Sequence, residues 1–396
     1  MQGGQAELGD VSLASPYPRF SDAEMARRIA ALDAVMAQRE VAHALVYGAN
    51  RSGSAIGWLT RWPVTREAVL VHSPGLRPTL LVNFYNHVPN AQRIVSDVDV
   101  RWAGERAIET AIIELRKRGA SGTRIGTFGP LGQHAHAGLA GVGQPVDMNA
   151  DYTRLRLVKS EEEIEWLRIA AGMTDDAVGA LHTVAAPGVS ELDLVDAVER
   201  AYVGRGGTTH IHYLAATPMS TPTVCVPAQY PTARALEPGD ALMCELSASY
   251  WEYTGQILRT FTVAADPTPL YRELHDVAEA AFDAVAGRLR PGATAAELVA
   301  ASALIEDAGF TTRDDLVHGF VGGYLPPVLG TPSRQLAGVP DFTFAAGMTV
   351  VVQPNVVTSD ERAGVQTGEL LLVTDDGARR LHSYERGLLR APRLPA

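Results

Sequence analysis

Cysteine is almost absent: the 396 residues hold two, Cys225 and Cys244. Two thiols cannot build the disulfide framework of a small secreted domain, and neither stands in a Cys-x-x-Cys or Cys/His zinc spacing. A basic surplus is also missing. The formal net charge is −11, which argues against nucleic acid or an anionic membrane as partner, since both need a basic face. No apolar run is long enough to span a bilayer. The opening stretch, MQGGQAELGDVSLASPYPRF, has no basic segment followed by an apolar one. No signal peptide is therefore expected, and the cytoplasm is the expected location. Apolar residues are plentiful, at 46% against 20% charged. That is enough for a sizeable core at a length natural for two domains.

The order of patterns divides the chain. Ser21-Asp22-Ala23-Glu24 reads as a capping box ahead of the periodic MARRIAALDAVMAQRE. HALVYG, EAVLVHS and PTLLVNFY are short apolar runs that suit buried strands, GERAIETAIIELRKRG is a helix and RIGTFG another strand. This alternation predicts an α/β domain over residues 1–152. A second capping box, Ser160 with Glu163, opens a long helix, so the second domain is expected over 153–396.

The second domain carries an internal echo. PGVSELDLVDAVERA begins at Pro187 and PGATAAELVAASALIEDAG at Pro291, 104 positions on. GDALMCELSA begins at Gly239 and GMTVVVQPNV at Gly347, 108 positions on. Two matches in the same order at similar offsets point to a duplicated α/β unit, against the alternative that both are common helix starts. Glu245 and Gln353 then occupy equivalent places about a pseudo-twofold axis, and a site between the halves sees both.

Four groups of residues are candidates for chemistry. Glu245 stands in an apolar strand, sharing a face with Met243 and Ser247. A half-buried acid there serves as general acid or base if its pKa is raised; the plain alternative is an edge-strand acid in solvent. His318 lies in DDLVHGFVGGYLPPVLG, whose glycines let backbone approach a ligand or a neighbouring strand. His210 and His212 in GGTTHIHYLAATP share one side of an ideal strand. That spacing is weak evidence for a metal, and a structural or substrate-contacting pair is the better reading. Glu369 in GVQTGELLLVTDDG is either a site acid or the last polar residue before an apolar strand.

Taken together, VKSEEEIEWLRIAA, PGDALMCEL, RTFTV, the His318-Gly319 loop, GMTVVVQP and GVQTGELLLVTDDG resemble the creatinase, aminopeptidase P and prolidase superfamily. The resemblance implies α/β (α+β) architecture: a pita-bread C-terminal domain with a pseudo-twofold repeat, after a smaller creatinase-type N-terminal domain. The superfamily's metallopeptidases hold two metal ions with two aspartates, a histidine and two glutamates. Carried over, these fall on Glu245, Gln256, His318, Gln353 and Gly368, with Glu369 beside the last. The second histidine usual after the His-Gly loop falls on Leu325, and the general-base histidine of creatinase falls near Gln229.

Two amides and a glycine cannot balance a pair of divalent ions. The pattern is thus most similar to the metal-free creatinase and ectoine hydrolase-like branch, with no metal and no cofactor. The implied function is hydrolysis of a C–N bond in a small amide, amidine or guanidino substrate. Glu245 and His318 are the catalytic pair, with Glu245 holding a cationic group, and His210, His212, Gln256, Gln353, Glu369, Arg61 and Trp62 are substrate contacts. The alternatives are a metal-dependent Xaa-Pro aminopeptidase or dipeptidase, a lyase or decarboxylase of the same fold, and an inactive binding module. The resemblance also implies a homodimer in which one subunit's N-terminal domain covers the other's site. Arg61 and Trp62 in GWLTRWP are the residue types to make such contacts.

Overall fold

The computed structural model describes residues 17–335 and 337–391. Residues 1–16, most of the stretch read above for targeting, lie outside the described residues. The chain divides after Leu155 into two compact units, three residues beyond the expected boundary, because the helix Asn149–Leu155 belongs to the first.

The first unit is a six-stranded mixed sheet: β1 (His43–Ala49), β2 (Glu67–Ser73), β3 (Leu76–Val82), β4 (Asp99–Trp102), β5 (Arg124–Phe128) and β6 (Gln144–Asp147), in the order β4-β3-β2-β1-β5-β6. Alternate residues of β1 and β2 point to opposite faces, so each face has its own core. One gathers Val46, Leu70 and Trp58, the other Leu45, Val69 and Leu115.

The second unit is built on β7 (Thr208–Pro218), β8 (Asp240–Tyr250), β9 (Tyr253–Thr254), β10 (Ile257–Val263), β11 (Thr311–Thr312), β12 (Val317–Phe320), β13 (Tyr324–Leu329), β14 (Thr349–Val352), β15 (Val356–Val357), β16 (Gly368–Thr374), β17 (Gly377–Arg380) and β18 (Leu389–Ala391). Its main sheet runs β13-β12-β14-β16-β10-β8-β7, with β9, β17 and β18 attached and β11 paired to β15 apart. The order reads as two halves meeting between β16 and β10, so β14 answers β8 and β12 answers β7.

The helices repeat in the same way. Ser190 caps Glu191–Val203 and Thr294 caps Ala295–Ala301, each in a reciprocated box with the residue three positions on. Each cap residue also makes an isolated bridge, Ser190 to Ala235 and Thr294 to Thr343. One helix pair packs Leu194 and Val198 against Leu242, Cys244 and Leu246; the other packs Tyr271 and Leu298 against Val350 and Val352. The duplicated unit and the pita-bread architecture are therefore present.

Both helix cores lie on one face of the sheet. Ile257 of the first core pairs with Glu369, and Glu369 pairs with Val352 of the second, so pairing carries the face from one half to the other. The opposite face is free of helices from either core, and the candidate site lies there.

Candidate active site

Register alone assembles the site. Glu245 pairs with Leu258, and Leu258 pairs with Gly368, so these three share the helix-free face. His318 pairs with Val351, and Val351 with Leu370 two residues after Gly368. Gln353 follows Val351 by two and Gln256 precedes Leu258 by two. Five positions, in or beside the five strands β8, β10, β12, β14 and β16, thus converge on one face. The expected sharing of a face by Met243, Glu245 and Ser247 follows, since Leu242, Cys244 and Leu246 fill the core behind them.

Hydrogen bonds tie the polar members together. Gln256 Nε2 donates to Glu245 Oε1 at 2.7 Å and reaches Gln353 Oε1 at 3.4 Å. Gln353 Nε2 donates to the Asp315 carbonyl oxygen at 3.2 Å. His318 is fully buried, and its Nδ1 donates to the Gly319 carbonyl at 3.2 Å. A carbonyl only accepts, so this bond fixes the neutral tautomer with an open lone pair on Nε2. That atom has no hydrogen-bond partner and stands 3.9 Å from Asp315 Oδ2. The Tyr324 ring stacks on the imidazole, centroids 3.9 Å apart and 13° from parallel. The Tyr324 hydroxyl donates to Asp315 Oδ1 at 3.0 Å. Gly319 lets β12 and β13 close around this group, since a Cβ there would lie 2.5 Å from the Pro326 carbonyl oxygen.

The ionisable groups are displaced in opposite directions. Burial, then the charges of Asp314 and Asp315, pushes the Glu245 carboxyl up to about 8, against the bond from Gln256. Burial lowers the His318 imidazole to about 4, partly opposed by the Gly319 carbonyl and by Gln353. Burial lifts Asp315 to about 6. At neutral pH the site therefore holds a protonated glutamic acid, a neutral imidazole and an ionised aspartate.

Asp315 and Tyr324 are members that sequence reasoning missed. Asp315 lies in the loop just before β12, where period-two alternation assigns no face. The adjacent acids in DDLVHG were the available signal.

Several expected substrate contacts are placed elsewhere. Glu369 points to the helix face, opposite the site. Arg259 Nη2 donates to its Oε2 at 2.7 Å, Arg380 Nη2 donates to the same oxygen at 2.9 Å, and Arg380 Nε donates to Oε1. His210 and His212 do not share a side, because β7 carries a register shift between Thr209 and Ile211, an extra residue that breaks alternation. His210 stays near the site, its ring 6.0 Å from that of Phe320, which stands edge-on to His318 at 5.4 Å. His212 pairs with Leu246 and packs behind the sheet, its Nε2 3.1 Å from the Tyr202 hydroxyl. Arg61 and Trp62 are buried within the first unit, 6% and 4% exposed. Arg61 Nη2 donates to the Ile94 carbonyl at 2.6 Å.

The positions that would hold a metal pair do not fit one. Gln256 and Gln353 are neutral amides, so neither brings the negative charge of a carboxylate, and Gln353 Oε1 already accepts from Gln256 Nε2. At Gly368 a Cβ would lie 2.6 Å from the Val352 carbonyl oxygen and 2.8 Å from Gln353 Cα, so a ligating side chain has no room. Among the described residues no group of three or more His, Cys, Asp or Glu is arranged to hold a metal ion.

Comparison with known proteins places this geometry. Residues 165–375 match the profile of metallopeptidase family M24. The chain belongs to that family. Among its relatives, the Xaa-Pro dipeptidase of Pyrococcus furiosus is 26% identical over 236 residues, 59% of this chain and 66% of that protein. The matched stretch thus falls just short of two thirds of that relative's length. In structure, the chain is similar to dipeptidase PepE from Mycobacterium ulcerans (TM-score 0.79, 21% identity, 95% of this chain and 100% of the other). It is also similar to the prolidase of Pyrococcus furiosus (TM-score 0.74, 20% identity, 89% of this chain and 99% of the other). These likenesses show the pita-bread fold. Among the described residues no helix is long and apolar enough to cross a membrane.

Proposed function

We propose that this M24 chain hydrolyses a C–N bond in a small amide, amidine or guanidino substrate with a protein acid and a protein base, in the manner of the creatinase and ectoine hydrolase-like branch. The observation that carries the reading is an acid and an imidazole on one sheet face: Glu245, fixed by Gln256 Nε2 at 2.7 Å, and buried His318, whose Nε2 has no hydrogen-bond partner; burial raises the first and lowers the second, which favours their uncharged forms. In the forward step a water molecule gives a proton to His318 Nε2 while its oxygen attacks the electrophilic carbon. Glu245 then passes its proton to the leaving nitrogen, and the C–N bond breaks. Gln256 fixes the acid by donating to Glu245 Oε1, which leaves the second carboxyl oxygen to carry the transferred proton. Gln353 holds Gln256 in turn and anchors the His318 loop through the Asp315 carbonyl.

The relatives' names favour a second reading, cleavage of Xaa-Pro dipeptides, with a metal as the family's description has it. Both readings break a C–N bond, and they part at the donor set, which lacks the carboxylates a dinuclear centre needs.

The first reading is tested by the pH dependence of kcat/KM on a panel of amidines, guanidino acids and cyclic amides, following released amine or ammonia. The base must be neutral and the acid protonated, so the rate is expected to rise through about pH 4, hold a plateau and fall through about pH 8. A rate still climbing above pH 9 would rule out Glu245 as the proton donor.

A further inference from the structure

We propose that two buried amides beside the reacting pair, Asn355 and Gln366, form a subsite for the end of the substrate that does not react, and that this end is an uncharged carboxamide and not a carboxylate. The inference rests on the reading above for where the reaction occurs, and adds how the rest of the substrate is held.

Register brings the two amides together. Val352 pairs with Glu369, and Val357 bridges to Gly364. Between them Val365 N donates to the Val356 carbonyl at 3.0 Å. The spacing is equal on both strands, so Asn355 stands opposite Gln366. Val356 and Val365 lie in the helix-side core, so their neighbours Asn355 and Gln366 face the other way, toward the site. Gln366 is two residues from Gly368, the position without a side chain, and Asn355 is two from Gln353. The amides are therefore one rung, roughly 7 Å, from the row that carries Glu245.

Both side chains are 0% exposed, yet three of their atoms have no hydrogen-bond partner: Asn355 Oδ1, Gln366 Oε1 and Gln366 Nε2. Asp314 accepts from Asn355 Nδ2 at 3.3 Å, which fixes the Asn355 oxygen on the opposite side. Turning the Gln366 amide over only exchanges its donor and its acceptor. The set is two oxygens and one NH2 group. A primary carboxamide is its complement, with an N–H for each oxygen and a carbonyl for Nε2. The other unpartnered atoms of this face serve the reacting group. Ser247 Oγ, a donor as well as an acceptor, and Gln256 Oε1 lie on the rung of His318 Nε2, beyond Glu245. Asp315 Oδ2 is in the loop before β12, and the Glu245 proton is committed to the leaving nitrogen.

A carboxylate fits this subsite badly. It brings no N–H to the two oxygens, and the charged groups that act on Glu245 one rung away are Asp314 and Asp315, both acids. The neighbouring Arg313 is half exposed and turned to Glu361 Oε2 at 3.4 Å. The chain between β7 and β8 shields the amides from water. Its Cys225 carbonyl packs on Gly364, two residues before Gln366, where a Cβ would collide with it. Glu245 and Asp314 are partly exposed and mark the open side.

The test uses three end groups on the full chain: acetamide, acetate and methyl acetate. Binding is followed by ligand-observed NMR at pH 7, with the thermal midpoint measured beside it. Acetamide is expected to bind about ten-fold or more tightly than either, because acetate adds a charge and methyl acetate lacks the N–H groups. Gln366→Met keeps the volume and removes both polar atoms. It should abolish the preference for acetamide and leave the midpoint equal or higher, since an unpaired buried amide opposes folding. A Gln366 that serves the fold by holding internal water would instead lower the variant's midpoint and leave the order of binding unchanged. Equal binding of the three, binding of none, or an acetamide preference that survives Gln366→Met would overturn the proposal. The comparison of acetamide with methyl acetate on the unsubstituted protein decides if the variant fails to fold. Each of these failures leaves the pH profile and the metal content untouched, so it is distinguishable from failure of the acid–base reading.

Discussion

His318→Asn is expected to lower kcat by about 10²–10⁴-fold, the usual contribution of a positioned general base. KM should move little. Asparagine keeps a polar group of smaller reach and removes the lone pair of Nε2, the ring nitrogen without a hydrogen-bond partner. The imidazole is fully buried and stacked on Tyr324, so some stability is lost as well. The thermal midpoint should be measured beside turnover, because the claim concerns the folded variant. A folded His318→Asn protein with full activity would move the base to His210, which reaches the same aromatic group through Phe320. It would not move to His212, which lies behind the sheet.

Glu369→Leu is expected to destabilise the protein by about 3–5 kcal/mol, the cost of leaving a buried charge without its partner. Arg259 and Glu369 side chains are both 0% exposed. Arg259 has other acceptors, the carbonyls of Leu258, Gly368 and Glu385, but none is charged. The urea midpoint should fall with the slope unchanged. The double variant Arg259→Met with Glu369→Leu should recover much of the loss, because an apolar pair replaces a desolvated one. The pH dependence has a definite sign. Burial alone would raise the Glu369 carboxyl, yet Arg380 and Arg259 more than offset this and hold it below the ordinary value. Its stabilisation is therefore present above the usual carboxylate range and lost as pH falls through the folded value. The variant should lack that acid-sensitive part. Unchanged stability together with lost turnover would return Glu369 to the site.

Much of this arrangement was legible in the sequence. The capping box read at Ser160 is local chemistry and forms in full, and the helix starts read after Pro187 and Pro291 are capped in the same way, at Ser190 and Thr294. The matched spacings from Pro187 to Pro291 and from Gly239 to Gly347 announced a duplicated unit, and the sheet order displays it. The face of Glu245 followed from alternation in an unbroken strand. What alternation could not reveal lies where the strand is broken or absent. The register shift after Thr209 separates His210 from His212. Asp315 enters from a loop whose direction depends on the Gln353 and Tyr324 contacts. Glu369 is one residue from the position the resemblance assigned to a ligand, and in a strand one residue is the opposite face. Arg61 and Trp62 carry side chains common at interfaces, but the packing of their own unit buries them.

The central claim is that the five family ligand positions, here Glu245, Gln256, His318, Gln353 and Gly368, no longer hold a metal pair. The most direct measurement is elemental analysis of protein purified without chelator and then equilibrated with Mn²⁺, Co²⁺ and Zn²⁺ in turn before desalting. The account predicts well under 0.1 equivalents of any of these ions per chain, roughly the background of a site without matched carboxylates. Retention of about one or two equivalents per chain, the stoichiometry of a mononuclear or dinuclear centre, would contradict it.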